Sequence, residues 1–314
     1  MKDCRICPRE CGADRTAGER GVCGAGILPV VARAALHFWE EPCISGRRGS
    51  GAVFFSGCSL GCVFCQNAAI SGTDPDQAQP GHPRSPLPGK EITVRHLADI
   101  FLRLQNEEHA NNLNLVTGTH FIPQAAQALR LAKAEGLHIP VVWNTGGYEK
   151  VSSLRLLEGL VDIYLPDFKY LSADLARQYS RAADYPDRAK EALAEMVRQA
   201  GPLRYAEEDD DGQRLLKSGV IVRHLVLPGH TMEAKRVIRY IRETYGDAVG
   251  ISILNQYTPM ERVREDPLLG RRVTKREYER VVDYALGLGV ENGFIQEGGT
   301  AEESFIPSWN GEGV

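Results

Sequence analysis

No cysteine follows Cys65 in this chain of 314 residues; all eight fall within the first 65. No stretch approaches 18 consecutive apolar residues, so no membrane-spanning helix is expected. Positive charge is in slight deficit, with 37 Lys and Arg against 41 Asp and Glu and a formal charge of −4. That argues against a nucleic-acid binder held mainly by a basic surface. The start, Met1-Lys2-Asp3-Cys4-Arg5, opens no apolar signal segment, so a cytoplasmic location is expected, where thiols stay reduced. Eight cysteines in such a setting read as metal ligands or catalytic thiols before they read as disulfides. The balance of 43% hydrophobic to 25% charged residues is that of a globular protein. The length favours one large α/β domain, with or without a small appendage.

The chain divides into a Cys-rich N-terminal extension, residues 1–46, and a body, residues 47–314. A connection from Gly72 to Lys90 carries Pro75, Pro80, Pro83, Pro86 and Pro88, a density that forbids regular structure. The acidic run Glu207-Glu208-Asp209-Asp210-Asp211-Gly212 reads as a solvated surface insertion. The body alternates. Strands are expected near 52–56, 113–117, 139–144, 161–169, 220–227 and 250–256. Helices are expected near 92–107, 123–135, 152–160, 232–243 and 275–288, with a further helical stretch from 173 to about 199 broken near Pro186. Such repetition implies an α/β fold with a parallel sheet of about six units. It would close into a partial or full (β/α) barrel, or remain an open doubly wound sheet.

The strongest signal is Gly57-Cys58-Ser59-Leu60-Gly61-Cys62-Val63-Phe64-Cys65-Gln66-Asn67, with spacing Cys-x3-Cys-x2-Cys at the end of the first of these strands. Loops at strand ends carry the chemistry of parallel α/β folds. Closely spaced loop thiolates hold iron–sulfur clusters. A [4Fe–4S] cluster on Cys58, Cys62 and Cys65 leaves one iron without a protein ligand, and an open position marks a reactive metal site. The alternatives are three core cysteines, or a zinc site that borrows a ligand elsewhere.

This triad, set in a barrel-like β/α alternation, resembles the radical S-adenosylmethionine superfamily, and within it proteins similar to pyruvate formate-lyase activating enzyme. The stretches that carry the resemblance are Trp39-Glu40-Glu41-Pro42-Cys43-Ile44-Ser45-Gly46, Phe55-Ser56-Gly57-Cys58, Cys62-Val63-Phe64-Cys65-Gln66-Asn67, Tyr164-Leu165-Pro166-Asp167-Phe168-Lys169 and Arg223-His224-Leu225-Val226-Leu227-Pro228-Gly229. The resemblance implies a [4Fe–4S] cluster whose open iron chelates S-adenosylmethionine. It further implies reductive cleavage of that cofactor to a 5′-deoxyadenosyl radical that abstracts hydrogen from a substrate. A reducing partner such as flavodoxin or ferredoxin is implied too, as is a protein substrate, with a glycyl radical enzyme the candidate. No glycyl-radical domain lies in this chain, so that partner would be separate.

Asp167 and Lys169 are two apart on a strand, so both side chains share a face. They read either as a salt bridge at the barrel mouth or as cofactor ligands, and they match the Asp-x-Lys stretch of the activating enzymes. Asn144 matches a position where those enzymes carry an acid that contacts the cofactor; as an amide it still donates and accepts but carries no charge. Arg223 sits among apolar residues and needs an anion, either Asp167 or a cofactor carboxylate. By strand parity His224 faces away and reads as structural, whereas His120 is placed to face the site. Many members of the superfamily carry Gly-Gly-Glu at the second strand end for the cofactor's amino group. Here Val116-Thr117-Gly118-Thr119-His120 contains no acid.

Cys4-x2-Cys7-x3-Cys11-x11-Cys23 offers four further thiolates in a Gly-rich stretch too small to bury a core. Zinc and a second iron–sulfur cluster both suit it; surface thiols in a tail are the alternative. Cys43, in an apolar setting, reads as a packed core residue. Two function classes follow: a radical enzyme, and a non-enzymatic iron–sulfur electron carrier or redox sensor. A carrier ligates every iron with protein and needs no large barrel, so three cysteines followed by about 250 residues favour the enzyme.

Overall fold

Short runs rich in Val, Ile and Leu, separated by amphipathic segments, build one mixed sheet in which most strands are buried on both faces. The computed structural model describes residues 2–72, 86–208, 212–296 and 307–314. Strand β1 (Val30–His37) pairs antiparallel with β2 (Ser50–Phe55), setting Val31 opposite Phe55 and His37 opposite Ser50. From β2 onward the neighbours are parallel and follow chain order: β3 (Leu113–Val116), β4 (Val141–Thr145), β5 (Ile163–Pro166), β6 (Leu216–Leu225), β7 (Gly250–Leu254) and β8 (Gly293–Ile295). Two-residue strands, Lys90–Glu91 and Arg204–Tyr205, flank β1 and β6. A doubly wound sheet reverses its strand order at a switch point, and this order never reverses. Among the described residues β8 and β1 do not pair, so the sheet stays open as a partial barrel.

Helix α1 (Val94–Asn106) starts at Thr93, whose Oγ1 accepts the His96 N–H at 3.1 Å, and buries Leu97, Ile100, Phe101 and Leu104 at helical spacing. It packs on α2 (Ile122–Ala134), whose buried face is largely alanine. The expected 173–199 stretch is two helices, α3 (Ala173–Ser180) and α4 (Tyr185–Ala200). Pro186 sits in the first turn of α4, where a missing N–H costs nothing, and the break falls at Arg181 in left-handed backbone. α5 (Thr231–Tyr245) and α6 (Lys275–Gly287) follow, α6 opened by a Thr274/Glu277 capping box. The helix expected over 152–160 is only Val151–Leu154 followed by a 3-10 turn.

Three further differences have local causes. Residues 30–37, placed with the extension by the sequence, are a strand of the main sheet; their alanines carry little β signal. β6 starts four residues earlier than expected, where polar residues pair with Arg204–Tyr205. β8 adds a seventh parallel strand too short to show a pattern. Of the connection between Gly72 and Lys90, residues 73–85 lie outside the described residues, as do 209–211 of the acidic run. The last residues return to β1, where Ala34 N–H donates to Glu312 O at 2.9 Å and Gly311 N–H to Ala32 O at 3.1 Å.

Candidate active site

The C-terminal ends of the parallel strands surround a cavity of about 250 Å³. Cys58, Cys62 and Cys65 line it together. The loop that carries them leaves β2 through Gly57, at φ 92°, where a Cβ would stand 2.6 Å from Cys23 O; only glycine fits. Leu60 N–H points at Cys58 Sγ at 3.4 Å, and Asn67 N–H at Cys65. Cys62 Sγ lies 3.0 Å from Ser180 Oγ, which meets the Tyr170 hydroxyl at 2.9 Å. Burial pushes the Cys62 thiol up and Cys65 up to about 12. These two thiols are therefore neutral until a metal displaces their protons.

The same cavity carries a charged cluster. Asp167 Oδ2 accepts from Lys169 Nζ at 2.7 Å, and Asp167 Oδ1 from Arg223 Nε at 3.0 Å. Arg223 also donates to Glu40 Oε2 at 3.2 Å and to Asn144 Oδ1 at 2.6 Å. Glu40 Oε1 in turn accepts from the side-chain amides of Asn114 and Asn144, each at 3.0 Å. Burial alone would raise the Asp167 pKa, but Lys169 and Arg223 outweigh it and hold the carboxyl below its ordinary range. Asn144, Asp167, Lys169 and Arg223 are thus brought together, with Asp167 and Glu40 as the anions that Arg223 meets. The Tyr185 hydroxyl pins this corner: it lies 3.0 Å from Gly146 O and 2.9 Å from Asp167 O, and accepts Lys169 N–H at 2.9 Å.

At the second parallel strand end, Thr119 lines the cavity and His120 does not. A 3-10 turn, Thr119–Phe121, rotates His120 inward, where its Nε2 donates to Ser56 O at 2.8 Å. Burial lowers its pKa to about 3, so it is neutral. His224 is buried and donates through Nδ1 to Phe168 O at 2.7 Å, a structural role. Behind Thr119 lies an acid that the sequence did not point to. Glu149 Oε1 accepts from Thr119 Oγ1 at 2.5 Å and from Thr145 Oγ1, and its Oε2 has no partner among the described residues.

The family model described as the Radical SAM superfamily matches residues 52–241. The chain belongs to the radical SAM superfamily. An uncharacterized protein of Methanocaldococcus jannaschii is 30% identical over 288 residues, which is 91% of this chain and 75% of that protein. Among solved structures, SuiB of Streptococcus suis, bound to its precursor peptide SuiA, aligns with a TM-score of 0.48 and 13% identity over 76% of this chain. The alignment spans 46% of the SuiB chain, about half its length. Methylornithine synthase (PylB) aligns with a TM-score of 0.47 and 12% identity, over 84% of this chain and 72% of that one. Membership implies a radical SAM enzyme with a [4Fe–4S] cluster and S-adenosylmethionine as cofactors. No described helix is long and apolar enough to cross a membrane.

The residues present fit those radical SAM cofactors. Three thiols share one cavity, two of them facing backbone N–H donors that favour thiolate. The charged cluster offers two cations and an amide to a zwitterionic ligand. Among the described residues no three Cys, His, Asp or Glu side chains already converge at the distances of a single metal ion. Cys4, Cys7, Cys11 and Cys23 lie together outside the cavity, with the Cys4 thiol donating to Cys11. Cys43 packs with Ile44, Val142, Ile163 and Ile221, as an apolar core residue.

Proposed function

We propose that Cys58, Cys62 and Cys65 hold the [4Fe–4S] cluster and that the chain is a pyruvate formate-lyase activating enzyme-like member of the superfamily. The observation that carries this is the juxtaposition of the three thiols with the Glu40–Arg223–Asp167–Lys169 cluster in one cavity at the strand ends. When bound, the cluster supplies the electron that cleaves S-adenosylmethionine and so generates the hydrogen-abstracting radical. The protein's own residues bind and shield. Lys169 and Arg223 receive the cofactor carboxylate, in competition with Asp167, which holds both cations ready. Asn144 and Glu40 fix the Arg223 guanidinium from the other side. Phe54, Val116, Leu225 and Leu254 give the cavity an apolar wall that excludes water from a reactive site. The electron comes from a flavodoxin or ferredoxin, and the substrate is a separate protein, a glycyl radical enzyme being the candidate. A second metal, zinc or another cluster, is carried by Cys4, Cys7, Cys11 and Cys23.

A non-enzymatic carrier is the weaker reading, because it gives no role to a cavity of this size beside an incompletely ligated cluster. The deciding experiment is anaerobic reconstitution, reduction with dithionite and addition of S-adenosylmethionine. Formation of 5′-deoxyadenosine and methionine is expected. A reconstituted, reduced cluster that yields neither would overturn the enzyme reading.

A further inference from the structure

The N-terminal extension buries almost nothing that would fold it by itself. Before β1, its buried apolar side chains are Cys4, Cys7, Ala13, Cys23 and Ala25. Yet it is tied firmly to the barrel. Arg9 donates to Ser59 O at 2.8 Å, Leu60 O at 3.2 Å and Ser180 O at 2.8 Å, and Ser153 Oγ to Ile6 O at 2.6 Å.

Two independent features point to a ligand at these sulfurs. The first is a repeated backbone geometry. Cys4, Cys7, Cys11 and Cys23 each accept an N–H from two residues on: Ile6, Arg9, Ala13 and Ala25. The same offset recurs in the cavity loop, Leu60 to Cys58 and Asn67 to Cys65. The core residue Cys43 has only its own N–H. Burial holds the Cys7 and Cys23 thiols above their ordinary range, and donors so aimed suit sulfurs whose protons a metal has displaced.

The second feature is Arg15. It is 1% exposed and donates to His120 O at 2.8 Å, Gly26 O at 3.3 Å and Cys23 Sγ at 3.4 Å. Its Nε has no partner, and it meets no carboxylate among the described residues. A buried guanidinium needs an anion, and the sulfurs are the groups placed to supply one.

We propose that Cys4, Cys7, Cys11 and Cys23 bind one zinc ion as a closed four-thiolate centre, with the buried Arg15 guanidinium as its counter-cation. The inference rests on the reading of a second metal at these cysteines and commits it to zinc. Two sulfurs on one zinc, at about 2.3 Å each and tetrahedral, stand about 3.8 Å apart. Cys4 donates to Cys11, so these two sulfurs already stand in direct contact, as two ligands of one ion do, whereas thiolates on different irons of a cluster stand apart. Cys11 and Cys23 lie on one side of Gly21, whose added Cβ would meet their sulfurs at 3.2 and 3.4 Å. Zinc with four thiolates carries a net charge of −2, which Arg15 partly offsets. None of the four lines the cavity, so the centre is structural and clamps the extension, with its Arg9, against the Cys58–Cys65 loop.

The test uses the full chain, purified anaerobically and dialysed against EDTA. Elemental analysis is expected to find about one zinc per chain, kept in the Cys58→Ala/Cys62→Ala/Cys65→Ala variant. Zinc X-ray absorption of the wild type should show a sulfur-only shell at about 2.3 Å. Arg15→Gln should weaken zinc about ten- to a hundredfold in chelator competition. Iron and sulfide in place of zinc in the triple variant would overturn zinc but keep a second metal; neither metal would overturn both. A nitrogen or oxygen shell in the wild type would mark the zinc as adventitious and overturn the site without any variant. Unchanged affinity in Arg15→Gln would remove Arg15 from it. None of these readings depends on cleavage of S-adenosylmethionine.

Discussion

Glu149 sets a stability that depends on pH in a direction opposite to most carboxylates. It is fully buried, with Oε1 held by two threonine hydroxyls and Oε2 unpartnered. Burial pushes its pKa from 4.5 up to about 7, against the downward pull of Thr119 and Thr145. Between those values the folded protein keeps a proton that the unfolded chain has released. The contribution is therefore complete below 4.5 and is lost as pH rises to about 7. At 1.36 kcal/mol per pH unit the full window is worth about 3 kcal/mol. Glu149→Gln keeps an acceptor oxygen for the threonines but cannot ionise. Urea unfolding of wild type and variant, run anaerobically from pH 4.5 to 8, isolates this group, because every other titration is common to both. Relative to the variant, the wild type should lose about 3 kcal/mol across the range. Two parallel stability curves would refute the argument. Asp167, whose folded pKa is depressed, acts with the opposite sign: its contribution is present above the unfolded value and is lost as pH falls through the folded one.

The cysteine motif was legible because its three thiols lie within eight residues and need only a strand end to present them. Asp167 and Lys169 were legible by strand parity, and Arg223 because a buried guanidinium demands an anion. Glu40 was not. It reaches Arg223 because the turn between β1 and β2 folds over β3 and β4, where Asn114 and Asn144 hold it. That contact joins residues 183 apart, and no local pattern encodes it. Glu149 belongs to no local pattern in the sequence, and only tertiary packing buries it. His120 shows where position along the chain misleads: its place at the second strand end set it near the cavity, but the chain leaves the strand in a 3-10 turn first. Openness of the barrel depends on whether its edge strands meet, which the alternation of strands and helices leaves undetermined.

Replacing Cys58, Cys62 and Cys65 together by Ala should remove one cluster's iron and abolish formation of 5′-deoxyadenosine; full iron content with full cleavage would show the ligands lie elsewhere. Lys169→Ala and Lys169→Met should assemble the cluster normally but bind S-adenosylmethionine about ten- to a hundredfold more weakly, by loss of a charge-assisted hydrogen bond worth about 1.5–3 kcal/mol. Titration followed by electron paramagnetic resonance reads this, and unchanged affinity in both variants would leave Lys169 as the structural partner of Asp167 alone. Arg223→Met removes the cation that Asp167 and Glu40 share, leaving Lys169 to serve one of them. Breaking a buried pair costs about 3–5 kcal/mol. The lower end applies here, because the cavity leaves a quarter of the Asp167 side chain in contact with solvent. Glu40→Gln added to Arg223→Met removes one stranded carboxylate, so the double variant should regain part of that loss. Urea unfolding of the four proteins forms a cycle whose interaction energy, if both residues act through one ion pair, is about 1–3 kcal/mol. An Arg223→Met cost below 1 kcal/mol, or simple additivity with Glu40→Gln, would mean that the cluster is held by its neutral hydrogen bonds through Asn114 and Asn144 and not by charge.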